Sequence, residues 1–194
     1  MKNASTLEFA LLGLIAQQPR SGYDLRKVFA TTAMRHYSDS PGSIYPALRR
    51  LKKRGWIEAV ATRPESSRRG RTAFRPTPVG RSALKEWLSL PASIEDVALR
   101  LEELMLRFAF MDGNAPRPTA IRLLQALQDG LSAQVKTYRL QRGEMQALLR
   151  KPDGTVAQHT GTLAFEAGIE GMESRLAWAR RARARLIEES KQKP

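Results

Sequence analysis

The 194-residue sequence has no cysteine, which excludes disulfides, thiol catalysis and zinc–thiolate sites. It has two histidines, His36 and His159, in unrelated surroundings. A histidine-based metal centre would need further ligands or a symmetric partner chain, so neither metal nor cofactor is expected. Long apolar runs are missing too. The longest, Phe9 to Ala16, follows Glu8 and falls far short of the ~20 residues that cross a bilayer. It is also short, with only Lys2 before it, so no secretion signal is expected. A soluble, cytoplasmic protein with no membrane contact is the expectation. Internal repeats and low-complexity tracts are absent. No nucleophile–base pair or phosphate-cradling glycine loop stands out. Adjacent acids such as Glu102-Glu103 and Glu188-Glu189 diverge around a helix. An enzyme is not expected.

Acidic residues are scarce in one half only. The formal net charge is +14, and residues 1–90 carry 17 Lys and Arg against 6 Asp and Glu, whereas residues 91–194 carry 16 against 13. A domain-sized segment with that excess attracts polyanions by releasing counterions from a phosphate backbone.

The excess centres on Ser40-Pro41-Gly42-Ser43-Ile44-Tyr45-Pro46-Ala47-Leu48-Arg49-Arg50-Leu51-Lys52-Lys53-Arg54-Gly55-Trp56-Ile57. Ser40 suits an N-cap and Pro41 the first helical position. Ile44, Leu48 and Leu51 share one face at helical spacing, while Tyr45, Arg49, Lys52 and Lys53 fall largely off it. A short helix this cationic fits a groove better than a core.

Other starts flank it. Ser5 with Glu8, Ser21 with Asp24 and Ser93 with Asp96 read as capping boxes, and Thr77-Pro78 as a cap with an N1 proline. They predict helices over Thr6–Gln17, with Leu7, Leu11, Leu14 and Ile15 inward, and over Ser21–Thr31, burying Leu25, Val28 and Phe29. Three short helices of this kind form a helix-turn-helix skeleton. Trp56–Thr62 and Arg71–Thr77 then read as strands of a hairpin with the basic tip Arg63–Gly70. That hairpin is a wing whose Arg68, Arg69 and Arg71 suit a phosphate strand or minor groove.

From Pro78 the pattern is helical: Val79–Leu88, then Val97–Met111 with Val97, Leu101, Leu104, Phe108 and Met111 on one side. Asp112–Pro118 breaks it. A long helix from Thr119 to about Arg150 carries the stripe Ile121, Leu124, Gln128, Leu131, Val135, Tyr138, Arg142, Met145, Leu149. After a turn at Lys151–Gly154, a last helix repeats the rhythm with Phe165, Ile169, Met172, Leu176, Ala179 and Leu186. Gly168 and Gly171 weaken it but would let another helix approach closely. These two helices can pair within the chain or with a second copy. The reading taken is a homodimer, with Leu131, Val135, Tyr138, Phe165, Ile169, Met172 and Leu176 at its interface and two half-sites on DNA. The fold class expected is mainly α: a winged helix-turn-helix DNA-binding domain over residues 1–90 and a helical dimerisation domain over residues 91–190, which would also hold any effector.

The run Gly22-Tyr23-Asp24-Leu25, the run Gly42-Ser43-Ile44-Tyr45-Pro46-Ala47-Leu48 and Gly55-Trp56-Ile57 resemble the PadR family of bacterial transcriptional regulators. Gly70-Arg71, Phe74-Arg75-Pro76-Thr77-Pro78-Val79-Gly80-Arg81 and Trp87-Leu88 continue the likeness in the same order. The second half is similar to the longer subfamily, mainly through Gly168-Ile169 to Trp178. The resemblance implies a dimeric repressor, often released from its operator by a small, sometimes aromatic, molecule. It also implies Tyr23, Ser43 and Tyr45 at phosphates, the third helix in the major groove and the wing beside it. Lys52 and Lys53 stand where an acid is frequent, Pro76 where leucine is usual, and Phe74 where tyrosine is common.

In this reading Ser40 and Ser43 seat a phosphate at a helix start. Arg49 reaches a base edge and Lys53 follows one turn on, while Arg50 and Arg54 pair with phosphates or acids. An effector would sit between the two domains near Trp87, Met105, Phe108 or Trp178; the alternative is that these are ordinary core. The expected partners are a pseudo-palindromic double-stranded DNA operator, a second copy of the chain, and a small-molecule effector. Two rival readings use the same features. One is an architectural or RNA-binding protein without sequence preference. The other is an interaction module whose long helices dock a partner protein or an acidic membrane surface.

Overall fold

The computed structural model describes residues 4–37, 41–61, 72–150 and 159–192. The chain divides into two compact units, residues 1–90 with 106–116, and residues 91–105 with 117–194.

The first unit is built around α1 (Thr6–Gln17). Its capping box is complete: the Glu8 amide donates to the Ser5 hydroxyl at 3.3 Å, and the Ser5 amide donates to the Glu8 carboxylate at 2.8 Å. Every residue from Glu8 to Ile15 is buried, so α1 is a central helix rather than an amphipathic one. Phe9 stacks on Trp87 with centroids 4.6 Å apart and tilts against Trp56 at 5.7 Å.

Arg20–Ser21 form a two-residue strand, β1, which the sequence pattern did not announce because two residues carry no period. Ser21 then caps α2 (Gly22–Thr31) with Asp24. After a 3₁₀ turn over Ala33–Tyr37, a second one over Pro41–Ser43 leads into α3 (Ile44–Lys53). The α-helix therefore begins three residues later than a start at Pro41 would give, and the Ser43 side chain makes no capping bond. A tighter turn commonly opens a helix in this way. The expected cap, Ser40, lies outside the described residues. α3 ends at Gly55, whose φ of 68° suits glycine.

β2 (Ile57–Ala61) and β3 (Thr72–Pro76) pair antiparallel, and β1 pairs with β3, giving the order β1-β3-β2. Trp56 precedes the strand rather than opening it. The expected hairpin tip, with Arg68 and Arg69, and Arg71, expected to open the second strand, lie outside the described residues. Across the stem, Arg75 meets Glu58 at 2.7 Å. α4 (Pro78–Leu88) starts on Thr77, whose hydroxyl accepts from the Gly80 amide at 3.0 Å and donates to the Gly55 carbonyl at 2.5 Å. A Cβ on Gly80 would lie 2.0 Å from the Trp56 carbonyl oxygen, so only glycine permits this approach of α4 to the strand entry.

One expected helix over Val97–Met111 is instead two, α5 (Ile94–Leu99) and α6 (Leu101–Ala109). Arg100 leaves the helical region at φ −134°, ψ 30°. Neither glycine nor proline marks the break, so apolar spacing alone ran through it. Arg107, buried in the first unit, donates to the carbonyls of Leu88 and Leu90 past the end of α4, a cation at a helix C-terminus.

The second unit is dominated by α7 (Arg117–Leu148) and α8 (Thr160–Gln192). They run antiparallel. Arg117 pairs with Glu189 at 2.5 Å, the Gln128 amide donates to the Ala179 carbonyl at 3.1 Å, and Tyr138 meets Phe165 edge-on at 5.6 Å. α5 lies on α7, where a Cβ on Gly130 would fall 2.6 Å from that of Val97. By contrast, among the described residues a Cβ on Gly168 or Gly171 would meet nothing within 4 Å, so no described helix approaches closely there. The expected turn at Lys151–Gly154 lies outside the described residues. No helix among the described residues is long and apolar enough to cross a membrane.

Candidate nucleic-acid interface

α3 divides into two faces. Ile44, Ala47, Leu48 and Leu51 are buried, and each such aliphatic side chain contributes roughly 1.5–3 kcal/mol on leaving water. Tyr45, Arg49, Lys52 and Lys53 point outward. The spacing 45, 49, 52 repeats every four then three residues, which aligns these side chains along one outer ridge.

That ridge borders a hollow of about 380 Å³ lined by Gly22 and Tyr23 of α2, Tyr45, Arg49 and Lys52 of α3, and Phe74 of β3, among others. Three of the expected nucleic-acid residues, Tyr23, Tyr45 and Arg49, are thus brought together. Both tyrosines are about half exposed, at 50% and 46%. The Tyr45 ring lies so close over Gly22 that a Cβ there would be 2.8 Å from it. The ring therefore packs on α2 and still presents its outer half to solvent. Among the described residues no acidic side chain lines the hollow, and its cations are Arg49 and Lys52.

Sequence reasoning passed over Lys52 as a site residue in favour of Lys53, although the 45–49–52 spacing pointed to it. It also passed over Gly22 and Phe74, which come from other elements and meet α3 only after folding. Lys53 is exposed beside the ridge. Ser43, at the end of the 3₁₀ turn, is half-buried. Arg50 turns away from the ridge. Its Nε lies 3.0 Å from the Glu8 carboxylate, whose side chain is only 2% exposed, and Arg54 approaches the same carboxylate at 3.9 Å. Arg54 also lies over the Trp56 ring, 5.4 Å from its centroid. Of the expected contacts, Ser40, Arg68, Arg69 and Arg71 lie outside the described residues.

The profile of the Transcriptional regulator PadR-like family matches residues 11–86. A PadR-like transcriptional regulator from Bacillus cereus, of known structure, is 30% identical; the match covers 41% of this chain and 75% of that one, with a TM-score of 0.37. The chain belongs to the PadR-like family. The negative transcriptional regulator PadR of Bacillus subtilis is 28% identical over 109 residues, 54% of this chain. The chain spans 56% of the length of that curated relative. A crystal structure of Bacillus subtilis PadR in complex with operator DNA is 21% identical, covering 95% of this chain and 99% of that one, with a TM-score of 0.41. Another, in complex with p-coumaric acid, is 20% identical, covering 94% and 96%, with a TM-score of 0.36. The PadR-like family is one of transcriptional regulators.

The other expected residues sit in helices of both units. Leu131, Val135, Ile169 and Leu176 are buried between α7 and α8 of the same chain, and Tyr138, Phe165 and Met172 are half-buried along that pair. Their apolar surface is largely used within one chain. The exposed apolar residues of the hairpin are instead Leu140, Leu148 and Leu163. The four expected effector residues also separate. Trp87 is core, 4% exposed under Phe9, and Phe108 is half-buried in the same unit. Met105 and Trp178 belong to the second unit, where with Leu127 and Leu131 they line a hollow of about 520 Å³ edged by Arg175 and Arg181.

Proposed function

We propose that this PadR-like regulator is a homodimer that binds a pseudo-palindromic DNA operator as a repressor and is released by a small ligand. Residues 1–90 would form the DNA-binding domain and residues 91–190 the dimerisation and effector domain. The observation that carries this reading is the outer face of α3, where Tyr45, Arg49 and Lys52 stand in solvent around a hollow that no acid among the described residues lines, above a fully apolar inner face. Such a helix fits the major groove. Arg49 reads a guanine edge, and Tyr23, Tyr45, Ser43 and Lys53 hold phosphates on either side. Ser40, Arg68, Arg69 and Arg71, expected at the cap and the wing, would extend the same contact. The outward Leu140, Leu148 and Leu163 support a second chain on the hairpin, and the Met105–Trp178 hollow supports a small amphipathic ligand.

Selection of bound duplexes from a random DNA pool tests the reading. The expected product is a two-fold symmetric consensus. On it, Arg49→Ala loses about 1–3 kcal/mol more than on random duplex at the same salt. A pool that enriches no sequence at all overturns the sequence-specific reading and leaves unspecific binding.

A further inference from the structure

Glu8 is the most deeply buried carboxylate among the described residues, with 1% of the residue exposed. Half of it is explained by the cap of α1, since one oxygen accepts from the Ser5 amide. The other oxygen is directed at α3. It accepts from the Arg50 Nε at 3.0 Å, and the Arg54 Nε lies 3.9 Å away. One buried anion thus faces two of the five cations that α3 and its cap present between Arg49 and Arg54. Those two side chains keep 50% and 30% of their surface in solvent, so they are held through the guanidinium Nε rather than enclosed. Removing Glu8 would release two long, always-charged side chains beside the reading face.

We propose that Glu8 is a positioning residue that sets the ratio of specific to unspecific DNA binding. It holds Arg50 and Arg54 against α1 and cancels one of their two charges, so that phosphate attraction at α3 comes mainly from Arg49 and Lys52 on the ridge and Lys53 beside it. Unspecific affinity depends on the number of phosphates neutralised, whereas base reading depends on the ridge. An acid placed under the helix lowers the first and leaves the second intact. The inference rests on the DNA-binding reading above.

The test measures affinity against salt for the full chain on a random-sequence duplex and on the duplex selected from the pool. Glu8→Gln keeps an acceptor for the Ser5 amide and removes the charge. It is expected to steepen the slope of log affinity against log salt by about 0.9, one more released counterion. Random duplex should then bind about fivefold more tightly at moderate salt, while the preference for the selected duplex falls by a similar factor. A slope equal to that of the wild type, in a variant whose circular dichroism and melting show it folded, overturns the proposal. Should Glu8→Gln fail to fold, Arg50→Gln decides. Held by Glu8, Arg50 carries little of the wild-type slope, so a loss of less than half a unit supports the proposal and a loss of a full unit overturns it. No duplex binding by the wild type would instead overturn the DNA-binding reading itself.

Discussion

In the first unit α1 is buried from Glu8 to Ile15 on all sides, whereas in the second α7 and α8 share a stripe and bury only eight and four of their 32 and 33 residues. The glycines follow the same division. Gly13 and Gly80 lie under Phe110 and the Trp56 carbonyl, while Gly143, Gly161, Gly168 and Gly171 have nothing within 4 Å of a built Cβ. The frame around α1 and α4 thus rests on close ring and backbone contacts, and α3 is tied to it by the half-exposed pair of Arg50 with the buried Glu8. The hairpin rests on side-chain layers with surface to spare. If the proposed function holds, the face that reads base edges sits on the first kind of frame and the helix pair that accepts a second chain on the other.

The contrast can be broken from the first unit. Trp87→Ala removes the ring stacked on Phe9 and should cost about 4 kcal/mol in chemical denaturation. A loss below 1 kcal/mol would mean that the core around α1 closes over the gap. Gly80→Ala should cost about 3 kcal/mol, because its neighbour is backbone and does not swing aside. A neutral result would show that α4 slides freely.

In the second unit the effects shrink. Asp96→Ala in the capping box of α5 should cost about 1 kcal/mol near neutral pH. The backbone amide of Ser93 holds the Asp96 carboxyl below the ordinary carboxylate range; the Ser93 hydroxyl and Arg100 add to this, and desolvation opposes it. A folded-state pKa below the unfolded one gives stability that is full at neutral pH and lost as the pH falls through the folded value. The difference between the two proteins should therefore narrow below about pH 4 in thermal melts. Smallest is Gly168→Ala, expected to stabilise α8 by about 0.8–1 kcal/mol since glycine gains nothing there. Sedimentation as a smaller species than the wild type would reveal a second chain's helix resting on that glycine.

Much of the fold was legible because it is written locally. The bounds of α1, the three capping boxes and the glycine that ends α3 follow from residues within four positions of one another. What escaped was non-local or unpunctuated. The break at Arg100 has no glycine or proline, and β1 exists only because β3 is there to pair with it. Glu8 read as half of a cap, and nothing near it announces Arg50, 42 positions on. At the candidate interface, the Tyr45–Arg49 face was visible from helical spacing, but Gly22 and Phe74 come from separate elements. The seam of α7 and α8 was read residue by residue, yet periodicity does not say whose helix fills it, and here the same chain does so.

The three tryptophans divide between the units. Trp56 and Trp87 flank Phe9 in the first unit and are nearly sealed from water, while Trp178 stands half-buried in the second. Excited indoles emit at shorter wavelength in apolar surroundings, so the chain carries a blue signal from one half and a redder one from the other. A single fluorescence trace during unfolding can thus report, without any added dye, which half loosens first.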